Sequence, residues 1–461
     1  MKMQLAEIAS ALGLEAQPGY EQVMVTSVSF DSRSLKAGAL FVPLTGEHDG
    51  HNYIEAAQAN GAVATLWQQD HQGKRPQGIY TLEVADTLTA LQQLAQYYLH
   101  KINPRVVAVT GSNGKTTTKD MTAAILQRGY NVQKTYANFN NQIGVPTTIL
   151  GMEPNTEVLV VEMGMDHFGE LDHLSRLVEP DVAVITMIGE AHIEFFGTRA
   201  KIADAKMEIT HGLAEDGLLV YNGDEPLLRQ RTQKLIQATT TFGLNDEDNL
   251  QATNVVSDSH QTAFRVLKWP EYDFTIPMIG AYNVNNALAA LAVGDYFQIP
   301  VAEMQLALQD FALTKNRTEW VDGNQGERIL SDVYNSNPTA VKEVLAAFEN
   351  NVTTTGKRIV VLGDMLELGE QGPALHAGIA QAINPDAIAS VYLCGPLMSN
   401  LRDALLAKMP ATAIHYYDTN DKASLIADLK AEIAPDDLVL LKGSHGIHLE
   451  TVLAALTENK E

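Results

Sequence analysis

From about residue 84 to residue 315 short apolar runs alternate with stretches whose apolar residues recur every three or four positions. VVAVT is followed by TTTKDMTAAILQRG, then come VLVVEMG, DVAVITMIG and the helix-compatible segment around KIADAKMEITHGLA. A strand covered on both faces reads as a nearly continuous apolar run, and an amphipathic helix reads with a 3.6-residue period. The alternation therefore predicts a parallel sheet with helices on both faces. It restarts after Lys315, where ERILSDVY, RIVVLGDM, SVYLCG and DLVLLKG are each followed by a helix-compatible stretch. The first 83 residues differ. They hold a helix with Leu5, Ile8, Ala9 and Leu12 on one face, short strand-like runs (VMVTSVSF, ALFVPL) and the polar loop TGEHDGHNYIEAA. The helix ADTLTALQQLAQYYLHKINP is stopped by Pro104 and separates this part from the strand RVVAVT. The expected organisation is α/β throughout, in three domains: a small α/β domain over 1–83, a central parallel-sheet domain over 84–315 and a second doubly wound domain over 316–461.

Composition narrows the function. Among 461 residues, 56 are acidic and 32 are Lys or Arg, a net charge of −24 that would repel a phosphate polymer and argues against a nucleic-acid binder. Small anionic ligands remain open, because a few aimed backbone amides suffice for them. The single cysteine, Cys394, excludes an intrachain disulfide and reads as a small apolar residue at a strand end. Glu7 interrupts what a signal peptide would need as an apolar stretch, and no run approaches the ~18 residues that span a bilayer. A soluble cytoplasmic protein is expected. No heptad stretch asks for more than a monomer.

The sharpest motif is VVAVTGSNGKTTTKDM, a strand ending at Thr110, a loop from Gly111 to Thr117 and a helix. Such a loop cradles phosphate. Its amides (Gly111, Ser112, Asn113, Gly114) and the helix start face the anion, Lys115 adds charge at the terminal phosphates, and the Thr116 hydroxyl can ligate Mg²⁺. Val109 stands where the longer G-x-x-x-x-G-K-[ST] pattern wants glycine, so the shorter form is present. Glu162 ends the strand VLVVEMG and His192 follows the strand DVAVITMIG, which puts both at the carboxyl ends of strands, where open α/β sheets bind ligands and where they could meet a metal. Lys206, in ADAKMEIT, reads by itself as solvated surface. His445 and His448 in KGSHGIHLE lack a third ligand with zinc spacing. The single Gly363 before Asp364 gives no dinucleotide fingerprint.

The segments TGSNGKTTTK, ANFNNQIGVPTTIL, VVEMGMDHFGEL, GEAHIEFFG, GAYNVNNALAALA, SDVYNSNP, VVLGDMLELGE and LLKGSHG, in this order and running end to end, resemble the Mur ligase family. The resemblance implies an ATP-dependent amide ligase of peptidoglycan precursor synthesis, with a UDP-binding first domain, a P-loop ATPase-like middle domain and a Rossmann-like C-terminal domain. NFNNQIGVP, YNSNP and GDMLELG are similar to the member that adds D-alanyl-D-alanine to UDP-N-acetylmuramoyl-tripeptide. In that reaction the tripeptide carboxylate attacks the γ-phosphorus of ATP, and the dipeptide amine displaces phosphate from the acyl phosphate.

The resemblance also implies residue roles. Lys115, His192 and Lys206 are catalytic. ATP is held by Gly111 to Thr117 together with Asn283 and Asn286 beside adenine, Arg317, and Asp332 near the ribose; Tyr282 replaces the family's usual His. Mg²⁺ is held by Thr116 and Glu162 and a second Mg²⁺ by His192 and a carbamylated Lys206. The UDP substrate meets Ser32 in FDSR, the loop Gly46, Glu47 and His48, and Asn140 and Asn141. Tyr334, Asn335, Asn337 and Asp364 face the peptide. His445 replaces the arginine of the commoner KGSRG form. Two other readings compete: a superfamily relative, either a folylpolyglutamate-synthetase-like ligase, against which the 83-residue N-terminal part argues, or the member adding the third residue of the stem, and a nucleotide-switched binding protein. The third residue of the stem, lysine or diaminopimelate, is left open.

Overall fold

A computed structural model describes residues 1–311, 317–350 and 354–458. The expected boundary at 315/316 lies outside the described residues. The chain forms two compact units. One comprises Met1–Thr110, Gly129–Ala183 and Glu208–Leu218, the other Gly111–Arg128, Val184–Met207 and Leu219–Glu461.

The first unit opens with α1 (Leu5–Ala11), which buries Leu5, Ile8 and Ala9 as their spacing predicts. Strands β1 (Ser27–Ser29), β2 (Ala39–Phe41), β3 (Ala62–Gln68) and β4 (Tyr80–Val84) form a sheet in that order, each parallel to its neighbour. Helix α2 (Thr87–Ile102) begins where the Asp86 carboxylate accepts the Thr89 amide, and ends at Asn103 in the left-handed region, just before Pro104. Its buried stripe, Ala90, Leu91, Leu94, Ala95, Tyr98 and Leu99, follows the helical period. Strands β5 (Arg105–Thr110), β6 (Val132–Lys134) and β7 (Val158–Glu162) are parallel, with β7 between the other two and Val109 opposite Glu162. All five residues of β7 are buried, which is why it reads as an uninterrupted apolar run until its last position.

Strands β8 (Val182–Ile185) and β9 (Leu218–Asn222) each begin in the first unit and finish in the second. The second unit holds α3 (Lys115–Leu126), α4 (Arg199–Met207), and β10 (Ala238–Gly243), which runs parallel to β11 (Leu250–Ser257). An antiparallel meander of β11, β12 (Thr262–Val266) and β13 (Trp269–Ile276) comes next, a feature that the apolar alternation does not announce. Helix α5 (Ala281–Tyr296) is rich in alanine and buried along most of its length, and it approaches α3 so closely that a Cβ on Gly294 would lie 2.7 Å from Ile125 Cγ2.

The last sheet contains β14 (Glu319–Asp322), β15 (Arg328–Asp332), β16 (Arg358–Gly363), β17 (Ser390–Cys394), β18 (Ile414–Tyr417) and β19 (Leu438–Lys442), ordered β14-β15-β19-β16-β17-β18. Only β14 is antiparallel. Helix α6 (Pro338–Asn350) follows β15, and α7 (Met398–Leu405) follows β17. Cys394 is buried at a strand end as expected, and burial pushes its thiol up to about 11. The carboxyl ends of β15, β16 and β19 carry Asp332, Asp364 and Lys442, beside the place where the strand order reverses.

In the first sheet a carboxylate bridges two imidazoles. Asp49 Oδ1 lies 2.7 Å from His51 Nδ1, and Oδ2 lies 2.9 Å from His71 Nε2, with the rings stacked at 4.1 Å. His51 is 2% exposed and meets the edge of Trp67. The remaining ring nitrogens accept backbone amides, His51 Nε2 from Gln68 and His71 Nδ1 from Gly73. A metal-bound imidazole donates its other N–H, and neither ring can do so here. The trio is therefore a hydrogen-bonded clamp on the loop after β2. Burial would raise the Asp49 carboxyl, but the His51 amide and the two imidazoles outweigh it and hold the group at about 2. We expect Asp49→Ala to destabilise the protein by about 1–3 kcal/mol in urea unfolding, because buried donors lose their acceptor. Since the folded carboxyl titrates below its unfolded value, the contribution of Asp49 is complete above about pH 4 and disappears as pH falls through about 2.

Candidate functional site

The phosphate loop is shaped by two glycines. A Cβ on Gly111 would lie 1.8 Å from Thr186 Oγ1, and one on Gly114, at φ +80°, would lie 2.2 Å from Asn286 Oδ1. No larger residue allows the backbone so near its neighbours. The Ser112 amide donates to the Met187 carbonyl at 3.0 Å, Thr186 Oγ1 donates to the Asn113 carbonyl, and Lys115 Nζ donates to the Gly111 carbonyl at 2.9 Å. Helix α3 starts at Gly114 with no side chain capping it, so its first amides present the partial positive charge that suits an anion. Position 109 explains the short motif. Val109 is a fully buried residue inside β5, where glycine has no turn to make.

Lys206 lies in the last turn of α4 and is 2% exposed. No carboxylate is paired with it among the described residues. Burial, with the charge of Lys115 added, holds its amine well below the usual lysine range. The expectation of a solvated surface lysine is thereby corrected: the short, weakly amphipathic α4 turns this side chain inward. His192 sits in the left-handed region at φ +62° just before the turn Ile193–Phe196, and its Nδ1 is paired with Glu367.

In the first unit, Glu162 is 2% exposed at the end of β7. Its Oε1 accepts from Asn140 Nδ2 at 2.9 Å, and its amide donates to Thr135 Oγ1. Asn140 therefore orients this carboxylate, while Asn141 Oδ1 accepts the amides of Ile143 and Gly144 at the start of the helix Gly144–Leu150. Ser32 is buried, with its carbonyl accepting from Asn60, whereas Gly46, Glu47 and His48 form an exposed turn.

The second unit brings several expected residues to the loop. On α5, Asn286 Oδ1 accepts from Thr118 Oγ1 and its Nδ2 donates to Asn283 Oδ1, while Asn283 Nδ2 donates to the Ile279 carbonyl. These asparagines brace α3 and the loop from behind. Asn337 and Asn113 exchange a reciprocal pair of amide hydrogen bonds at 2.7 and 3.2 Å. Beside them, Thr339 donates both its amide and its hydroxyl to Glu190. The NSNP segment is thus docked on the phosphate loop.

Asp332 is paired with Lys442 at 2.6 Å, and the same ammonium donates to the Asn335 carbonyl. The Asn335 side chain accepts the Ser336 amide. The Arg317 guanidinium lies 4.2 Å from the centre of the Tyr334 ring, and His445 stacks on the same ring at 5.8 Å, so the residue replacing the family's arginine extends this column. The Asp364 carboxylate accepts the Leu397 and Met398 amides at the start of α7, which points it into the fold. Tyr282 donates to or accepts from Thr318 Oγ1 at 3.2 Å.

Three participants are not apparent from the sequence. Lys442, Glu190 and Glu367 all lie in segments that carry the family resemblance, yet none has a role implied by it. Lys442 offers a signal, a lysine closing an apolar strand. Glu190 and Glu367 offer none, because their partners are far away in sequence.

Family models match in chain order: Mur ligase family, catalytic domain, over 24–104; Mur ligase middle domain over 109–294; and Mur ligase, glutamate ligase domain, over 316–445. The chain belongs to the Mur ligase family, whose members are ATP-dependent ligases. It is 42% identical to the UDP-N-acetylmuramoyl-tripeptide--D-alanyl-D-alanine ligase of Bacillus subtilis, over 97% of this chain and 96% of that one. Its fold is similar to MurF from Acinetobacter baumannii, with a TM-score of 0.88 at 27% identity, covering 100% and 99% of the two chains. MurF from Thermotoga maritima, solved in complex with ADP, gives a TM-score of 0.80 at 28% identity over 94% and 97%.

Gly111→Ala should lower nucleotide affinity at least about tenfold, since one methyl group displaces the loop by more than its amides tolerate. Titration with ADP by calorimetry measures this, and an unchanged melting temperature shows that the sheet survives.

Proposed function

We propose that this chain joins D-alanyl-D-alanine to UDP-N-acetylmuramoyl-tripeptide at the expense of ATP, giving the UDP-linked pentapeptide. The full-length identity to the Bacillus subtilis ligase supports the reading. The observation that carries it is the docking of the NSNP segment on the phosphate loop through Asn337 and Asn113, because the segment following β15 then meets the γ-phosphate end of a bound nucleotide. The tripeptide carboxylate attacks the γ-phosphorus and ADP leaves. The dipeptide amine then attacks the acyl carbon of the acyl phosphate, and phosphate departs with the C–O electrons.

Charge on the transferring phosphoryl group is met by Lys115 and by the amides of residues 111 to 117. Arg317 and Asp332 hold the ribose end of ATP, and Asn283 and Asn286 keep the loop in register while bordering adenine. The exposed turn Gly46 to His48, with Ser32, takes the UDP part. Tyr334 and Asn335 face the peptide. The docked segment excludes the water that would hydrolyse the acyl phosphate.

The donor set suits Mg²⁺. The Thr116 hydroxyl and the Glu162 carboxylate are each assigned to Mg²⁺ as a hard oxygen donor of the kind this ion prefers, and within its own unit Glu162 is oriented by Asn140. His192 and Lys206 are assigned to a second Mg²⁺. An ammonium group repels a cation, so Lys206 suits this role only as the carbamate. A buried, neutral amine adds CO₂ and releases one proton, which converts a cation into a carboxylate-like ligand. When bound, Mg²⁺ supplies charge neutralisation at the phosphates.

No helix among the described residues is long and apolar enough to cross a membrane. On this reading the chain works in the cytoplasm as a monomer, where ATP and the UDP-linked precursor meet.

ADP release with ATP, Mg²⁺ and lysine- or diaminopimelate-containing UDP-tripeptide should require D-alanyl-D-alanine and yield a product heavier by one dipeptide residue. Release that ignores the dipeptide would overturn the assignment. Lys115→Ala should lower turnover by about 100-fold or more while the fold persists. With ¹³C-bicarbonate, a carbamate carbon signal should appear in the wild-type spectrum and be missing from that of Lys206→Arg.

A further inference from the structure

We propose that Glu367 is a positioning residue for His192, so that one cation site is completed only when the loop after β16 is docked. The proposal rests on the assignment of His192 to Mg²⁺ and deepens it. His192 Nδ1 is buried without a well-aligned hydrogen bond, and the carboxylate in ion-pair contact with it is that of Glu367. With that nitrogen turned to the carboxylate, Nε2 is the nitrogen available to a cation. Carboxylate–imidazole–metal chains fix the orientation of the ring and raise its basicity, and losing the outer carboxylate weakens metal binding about 10- to 100-fold. The effect matters most for a hard ion, which takes nitrogen reluctantly.

The contact is built into both loops. His192 and Glu367 each occupy the left-handed region, at φ +62° and +61°, a conformation that non-glycine residues adopt when the surroundings hold them there. The Glu194 amide donates to the Glu367 carbonyl at 3.1 Å, and Gln371 Nε2 donates to the Gly197 carbonyl at 2.9 Å. A Cβ on Gly369, at φ +54°, would lie 3.1 Å from Glu194 Cγ, so the backbone is close here as well. Glu367 follows β16 of the last sheet, whereas His192 follows β8. The imidazole is therefore aimed by a carboxylate from a different sheet, and the affinity for the second cation is coupled to docking of that loop. By linkage, the cation strengthens docking by the same factor.

Mn²⁺ serves as the spectroscopic probe. Its binding is titrated by electron paramagnetic resonance in the presence of a non-hydrolysable ATP analogue, for wild type, Glu367→Ala, His192→Ala and the double variant, with Glu367→Gln as a second probe of the charge. We expect Glu367→Ala to weaken one Mn²⁺ about tenfold or more, Glu367→Gln to weaken it less, and Glu367→Ala to have no further effect once His192 is alanine. If His192→Ala weakens Mn²⁺ but Glu367→Ala and Glu367→Gln stay within about twofold of wild type, Glu367 merely ties the loops together and the proposal fails while the metal assignment stands. If His192→Ala itself leaves both Mn²⁺ affinities unchanged, the assignment of His192 fails and takes the proposal with it. Equal losses from Glu367→Ala with and without His192 would also overturn it.

Discussion

Burying an ammonium group is unfavourable by several kcal/mol unless an anion accompanies it, and Lys206 is buried next to a second cation with no carboxylate paired to it among the described residues. In a chain of net charge −24 a buried lysine with no carboxylate paired to it stands out. It is tolerated because the amine can give up its proton, and because the loop beside it is made to receive an anion. Gly111 and Gly114 bring the backbone within reach of Thr186 and Asn286, α5 braces the loop from behind, and Asn337 meets it from the segment after β15. The side-chain contacts among these, Thr118 with Asn286 and Asn113 with Asn337, are neutral hydrogen bonds. Charge is left for the nucleotide and its cations to balance, which is how a site favours the transition state of phosphoryl transfer over its own resting state.

Much of this was legible in the sequence, for identifiable reasons. Strands such as VLVVE and VVAVT are buried on both faces, so they appear as apolar runs, and the phosphate loop announces itself because its mechanism needs particular residues in a contiguous stretch. The antiparallel meander over Leu250–Ile276 was not seen, since exposed positions such as Val256 and a β-bulge near Thr253 blur the alternation. Side-chain roles were harder. Asn140 orients Glu162 from 22 residues away, and Asp364 caps α7, contacts that the sequence does not announce. Lys206 shows the same limit in another form. Periodicity along α4 gives no hint of its burial, because a nine-residue helix with a lysine in its last turn ordinarily exposes it.

The pairs that join distant segments share one property: Asn113 with Asn337, Glu190 with Thr339 and His192 with Glu367 all connect residues from the middle of the chain to segments after residue 330. None is an apolar contact. Polar contacts of this kind exchange readily with water, so such a junction can form and separate without exposing a core, which suits an enzyme that must admit three substrates and release three products.

The capped start of α7 has a wider meaning. The start of a helix is a natural seat for an anion, and at α7 that seat is occupied by the protein's own Asp364, so close that a Cβ built on Gly395 would lie 2.4 Å from its carboxyl carbon. That helix start is thereby satisfied from within the chain. Its acceptor is covalently attached and cannot dissociate, so the helix start needs no ligand to complete it.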